Sequence, residues 1–504
     1  MEIPFKNKSK LEKAELKILD EYAWKAICNW HKDIQFDTIY RGVNFNHLIR
    51  SFLWAKVSRS IRIKLDGIDV STELKILNNI EKDNPTRFQI NKSFLWLRQY
   101  IKLIKNKLFL LYFNLKKKLD SSEKRKKVVF VPIYNKNMYS VFKRLTKDNS
   151  IRVVSRKSFM SNVIPFRIDQ DIKALEKSWA KELFCAVILG LSKREIILSS
   201  TDKKILNYQI NQLFQQFHDY ETELRIIKPD LVYLYGDNFF PFIIYALVAK
   251  KMNIPTFMFQ HGLDCEHEFL DNAYASHIAV WGEERKLRYE KFSTQIANIK
   301  VTGNPQYSHL KIEKDIKIQG DYIIWFTRPH HPEKCYSVSR SPDEGGEILQ
   351  TICKFLLEHE DEYLIIKPHP RSYMRLYKSF IENSLLSERI TIFTGNVVDI
   401  LPNAKLVISE DSTMGLESLF YGKLLINVHF TKREPVIPYV KYNAAVKAYN
   451  SIELLKALES YKTINSQKIQ LMNSGRKRMI KDFAGDFDDL EVNRILLFIE
   501  EILG

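Results

Sequence analysis

Cysteine is scarce and scattered in this chain: five in 504 residues (Cys28, Cys185, Cys265, Cys335, Cys353), with no two in C-x-x-C spacing. That argues against a disulfide framework and a structural zinc site, and it suits a reducing compartment. Long apolar runs are missing as well. The opening MEIPFKNKSKLEKAELK lacks the apolar stretch of a signal peptide. The longest apolar run nearby, LFLLYF (108–113), falls far short of the ~20 residues a membrane-spanning helix needs. The expectation is a cytoplasmic chain that does not cross a membrane. No G-x-x-x-x-G-K-[ST] occurs, which removes a P-loop NTPase, and no G-x-S-x-G, which removes a hydrolase elbow. Zinc-finger, helix-turn-helix and RNA-recognition signatures are absent, so nucleic acid is not an expected partner. No D-x-D stands between the two halves in a setting that suggests a metal-bound diphosphate, and Asp488-Asp489 falls in the terminal helical region. Neither a metal nor another cofactor is expected.

What is present is a globular composition, 45% hydrophobic and 12% aromatic. Single hydrophobic cores stop growing near ~250–300 residues, so 504 residues imply two large domains. The net charge of +18 is uneven: residues 1–127 carry 28 Lys/Arg against 14 Asp/Glu, leaving 14 of the excess charges there. Residues 1–127 read as a basic, helical N-terminal extension, in which SFLW recurs at 51–54 and 93–96. The stretch 93–119 has no acidic residue. At ~100° per residue, Arg98, Lys102, Lys105 and Lys116 share one face beside an apolar flank of Leu97, Ile101, Ile104, Leu108 and Leu111. Such a helix either packs on the domain with a solvated lysine face or lies on an anionic membrane, as a peripheral protein would.

After the charged run SSEKRKK (121–127) the pattern changes to strands alternating with helices, which predicts parallel α/β units. Strand signals fall at VVFVPIY (128–134), IRVVS (151–155), KPDLVYLYGDN (228–238), NIPTFMFQHGLD (253–264), HIAVWGEE (277–284) and IKVTGNP (299–305), with FCAVILG (184–190) ambiguous. The domains read as 128–310, an acceptor-side α/β domain; 311–320, a linker; 321–450, a nucleotide-binding α/β domain; and 451–504, helices packing back on both. Within the second domain, EYLIIKPHPRS, ITIFTG, KLVISE and DSTMGLESLFYGKLLINVHF set polar loops at strand ends, where parallel sheets bind ligands.

In order, Gly303-Asn304-Pro305, Thr327-Arg328, Lys367-Pro368-His369-Pro370 and Ser412-Thr413-Met414-Gly415-Leu416-Glu417 before Gly422-Lys423 resemble a GT-B glycosyltransferase over about 228–430. The last two motifs are similar to the HP and Ser/Thr signatures of bacterial enzymes that use CMP-activated sugars, the capsule Kdo transferases and sialyltransferases. They are also similar to those of glycerophosphotransferases that use CDP-glycerol. The resemblance implies two Rossmann-like α/β domains facing a cleft, a metal-independent site, a nucleotide-activated donor and a glycan or glycolipid acceptor.

The residue chemistry agrees with it. A leaving nucleotide phosphate gathers negative charge that preorganised donors stabilise. His369 can donate an imidazole N–H to it, Pro370 stiffens that turn, and Lys367 and Arg328 supply cations. Ser412 and Thr413 stand where a helix begins, either holding phosphate with the helix N–H groups or merely capping the helix. Glu417 can accept from ribose hydroxyls or sit as a solvated helix residue. The base that takes the acceptor's proton is sought across the cleft among Asp237, His261, Glu266 and Glu268, with His261-Gly262 the most attractive. The expectation is transfer from a CMP-activated sugar, CMP-Kdo above others, in bacterial surface-polysaccharide synthesis. Open alternatives are a CDP-glycerol-type polyol-phosphate transferase, a UDP-sugar epimerase and a non-catalytic membrane-bound assembly factor.

Overall fold

The computed structural model describes residues 13–66 and 126–504, apart from 135, 158–159, 161–162, 166–173, 238–239, 261, 264–272, 294–296, 309, 329–341, 370–373, 383 and 431–434. Two wholly parallel sheets organise them. The first holds β3 (Lys127–Val131), β4 (Ile151–Ser155), β5 (Ile164–Pro165), β6 (Leu231–Leu234), β7 (Thr256–Phe259), β8 (His277–Val280) and β9 (Asn298–Val301), in spatial order β5-β4-β3-β6-β7-β8-β9. The second holds β10 (Tyr322–Phe326), β11 (Leu364–Lys367), β12 (Ile390–Ile392), β13 (Ala404–Ser409), β14 (Leu425–Val428) and β15 (Val446–Ala448), in the order β12-β11-β10-β13-β14-β15. Each order runs outward from its first strand and then reverses, the doubly wound pattern of a Rossmann-like unit. Together they form a GT-B-like pair of α/β units. Helices cover both faces, so β6, β7 and β14 are buried at every position.

Helix ends follow local chemistry. The Ser200–Ile227 helix starts where the Ser199 hydroxyl accepts from the N–H of Asp202 and stops at Lys228, which turns left-handed at φ 50°. The ambiguous FCAVILG segment lies inside the Ala174–Ser192 helix. Leu183, Ala186, Val187 and Leu191 are buried while Cys185 and Leu189 are exposed, a helical spacing that four to seven apolar residues in a row conceal.

The N-terminal region is more than helical. Helices Lys13–Asn29 and Phe45–Asp66 flank a short hairpin, β1 (Ile39–Tyr40) and β2 (Val43–Asn44), turned by Arg41 and Gly42, both at positive φ. These helices, with Trp30 just beyond the first, put Ala26, Ile27, Trp30, Phe45, Leu48 and Leu53 into the core of the first unit, with residues of the Ala174–Ser192 and Ser200–Ile227 helices. The basic stretch 93–119 lies outside the described residues.

Segment 311–320 lies along the second unit. Glu313 N donates to Phe420 O (2.9 Å) and Lys317 N to Gly422 O (2.8 Å). The wholly buried Arg476 donates to the carbonyls of Glu313 (2.6 Å), Lys314 (2.7 Å) and Leu419 (2.6 Å). The chain passes back to the first unit between helices Ser466–Ala484 and Glu491–Leu503. There Gly485 (φ +81°) runs beside Gly303 (φ +75°); a Cβ on Gly485 would stand 2.5 Å from the Trp281 carbonyl oxygen and 3.4 Å from the Gly303 Cα. Only glycine meets both the handedness and the space. Beyond it Val492, Ile495, Phe498, Ile499 and Leu503 bury against the first sheet.

Candidate functional site

Between β10 and β13 the strand order of the second sheet reverses, the switch point beyond whose carboxyl ends open parallel sheets bind ligands. Phe326 stands in register with both Lys367 and Ser409, so β10, β11 and β13 end level. The next residues, Thr327, Pro368-His369 and Glu410-Asp411-Ser412, leave the sheet at one edge. Thr327 ties two of these exits together. It is 3% exposed, its N–H donates to the Lys367 carbonyl (3.2 Å), and its hydroxyl oxygen accepts from the N–H of His369 (3.2 Å). Lys367 is half-buried, and that burial lowers its ammonium pKa from the usual value. Arg328 is also half-buried at this edge.

Ser412 begins the Thr413–Phe420 helix as its cap, with extended backbone (φ −144°, ψ 147°) and a hydroxyl that accepts from Met414 N at 3.3 Å. The Tyr439 hydroxyl donates to the Ser412 carbonyl at 2.6 Å, and its ring lies so close over Gly415 that a Cβ there would stand 2.7 Å away. Asp411, 1% exposed, accepts from Val436 N (3.0 Å) and lies 3.3 Å from Nδ1 of the buried His429. The helix N-terminus is thus held from three sides at the switch point, where its dipole and N–H groups favour an anion.

One face of this helix meets the first unit. The Thr413 hydroxyl oxygen accepts from Leu263 N at 3.1 Å, and one turn on, Glu417 accepts from the Tyr307 hydroxyl at 2.7 Å. Burial pushes the Glu417 carboxyl up to about 7, partly opposed by the bond from Tyr307. The Tyr307 hydroxyl lies well above its ordinary pKa, from burial first and the Glu417 charge second. Thr413 and Glu417, expected from the sequence to hold the donor, each make a hydrogen bond to the first unit. Tyr307 and His429 stand in none of the sequence motifs that mark the site, whereas Thr327 belongs to the Thr327-Arg328 pair. Thr327 had a signal in its place at a strand end, but Tyr307 and His429 had none, because their partners are distant in sequence.

Across the cleft, Asp237 is 1% exposed and its Oδ2 accepts from the N–H groups of Tyr274 (2.7 Å) and Ala275 (3.0 Å). A carboxylate so enclosed and engaged fastens a loop; a general base needs an open route to a hydroxyl. His261, Glu266, Glu268 and Pro370 lie outside the described residues. Among the described residues, no three His, Cys, Asp or Glu side chains come together as a metal site.

No protein-family model matches this chain, and no curated protein does. Solved structures do. The UDP-bound S. aureus MnaA is 12% identical with a TM-score of 0.49, covering 75% of this chain and 97% of its own. The UDP-GlcNAc 2-epimerase from Neisseria meningitidis, bound to UDP-GlcNAc, is 15% identical with a TM-score of 0.48, covering 75% and 100%. A glycosyltransferase from Rickettsia africae is 13% identical with a TM-score of 0.40, covering 76% and 99%. The likeness is one of fold.

Proposed function

We propose that this chain is an enzyme acting on a nucleotide-activated sugar, with the nucleotide phosphates at the β10/β13 switch point. The observation that carries the reading is the start of the Thr413–Phe420 helix at that switch point, on the same sheet edge where Lys367 and His369 leave β11. The helix N–H groups and these side chains would offset the charge that gathers on the phosphate as the bond to the sugar breaks. All of these groups bear on phosphate, which every nucleotide-activated sugar carries. The K-P-H-P and S-T-M-G-L-E resemblance favours transfer from a CMP-activated sugar to a glycan or glycolipid hydroxyl. The second alternative, UDP-sugar epimerisation, accords better with the UDP-GlcNAc 2-epimerases among the neighbours of like fold.

Calorimetry with UDP, CMP, CDP and GDP tests the class. At least one is expected to bind, and Lys367→Ala and His369→Ala are each expected to weaken it at least tenfold, about 1.4 kcal/mol. Failure of all four to bind rejects the reading. Product analysis then separates the chemistries: proton NMR showing UDP-GlcNAc converted to its C2 epimer without an acceptor supports epimerisation, and acceptor-dependent release of CMP, with the acceptor heavier by one sugar, supports transfer.

A further inference from the structure

Gln260 follows β7 and is 3% exposed, yet its amide is fully engaged. Its Oε1 accepts from Trp281 N (2.9 Å) and its Nε2 donates to the Gly262 carbonyl (3.0 Å). Its own carbonyl accepts from the Trp281 indole N–H (2.7 Å), and its N–H donates to Ala279 O (3.0 Å). A side chain held at both ends makes a stiff base for the turn that follows. From the other unit Thr413 reaches the same turn. Its hydroxyl accepts from Leu263 N, and its Oγ1 lies 3.5 Å from where a Cβ on Gly262 would be. The turn is therefore gripped from β7 and β8 below and from the phosphate-side helix opposite.

We propose that Thr413 and Gln260 form a strut that holds Gly262 and Leu263 over the start of the Thr413–Phe420 helix, making Thr413 a positioning residue that sets how the first unit stands against the nucleotide site. This rests on the proposed function for its catalytic consequence, but the strut itself does not. The helix N–H groups remain when the hydroxyl is lost, so ground-state phosphate binding survives. The register of the opposite wall does not survive, and small misplacements of a site wall are costly to turnover.

Hydrogen exchange, read residue by residue, tests the strut in the full-length protein. The Leu263 amide should exchange at least tenfold faster in Thr413→Val than in wild type, and Thr413→Ser, which keeps the hydroxyl, should restore protection. Unchanged Leu263 exchange in Thr413→Val overturns the proposal whatever the activity. With the nucleotide sugar that the wild type turns over, Thr413→Val should lower kcat about tenfold while UDP or CMP affinity, whichever binds, changes less than twofold, and Thr413→Ser should recover kcat. A tenfold loss of nucleotide affinity at unchanged kcat would make Thr413 a phosphate ligand and overturn the positioning role. If no nucleotide binds the wild type, the proposed function fails while the exchange result still decides the strut.

Discussion

Glu417 is the residue whose surroundings most change its chemistry. An unperturbed glutamate titrates near 4.5, whereas burial beside Tyr307 moves this one to about 7. Between those values the folded chain holds a proton that the unfolded chain has released. The stabilisation is therefore full below about pH 4.5 and is lost as pH rises through 7. Glutamine fixes the neutral form. Glu417→Gln is expected to match wild type near pH 4.5 and to exceed its stability at pH 8 by on the order of 2–3 kcal/mol, measured by urea unfolding. A difference that does not grow with pH would overturn this assignment. Asp237 makes the contrast. Both are enclosed carboxylates, but Asp237 accepts from two backbone N–H groups of its own unit, whereas Glu417 accepts from a phenol hydroxyl of the other unit.

At the scale of elements, the Thr413–Phe420 helix does three jobs in two turns. Its N-terminus opens on the switch point, one face carries Thr413 and Glu417 to the first unit, and Gly415 admits the Tyr439 ring. A methyl at 415 has no room unless Tyr439 moves and releases the Ser412 carbonyl. Gly415→Ala is expected to cost about 1–3 kcal/mol and to weaken nucleotide binding, both read by thermal denaturation with and without UDP or CMP. Stability equal to wild type would show that the ring does not hold the helix start. The element itself was legible from S-T-M-G-L-E followed by G-K, because a cap and an apolar strand bracket it. Its outward face was not. Leu263 lies 150 residues away and Tyr307 lies 110 away, and no local pattern encodes which turn of which strand will stand opposite.

For the whole molecule, the joint between the units is set by where the chain crosses. Segment 311–320 is clasped to the second unit by Arg476, and the chain's passages between the units run side by side at Gly303 and Gly485. Gly485→Ala would need a left-handed alanine and a Cβ 2.5 Å from the Trp281 oxygen. The expected loss is at least about 2 kcal/mol, with faster exchange of amides in the Glu491–Leu503 helix. Wild-type protection of that helix would show that the crossing tolerates a side chain.

The sequence by itself determined that this is a two-unit parallel α/β protein with polar loops at the strand ends of the second half. Those features are periodic and local: apolar runs that bury on both faces, caps that begin helices, glycines that end them. Tertiary structure decided the rest. It wove the N-terminal helices into the first unit's core, tied Asp237 to the backbone before β8, and engaged Thr413 and Glu417 in hydrogen bonds between the units. Each of those outcomes depends on a hydrogen bond or buried face whose partner is remote in the chain, and such pairings exist only once the two sheets have formed and met.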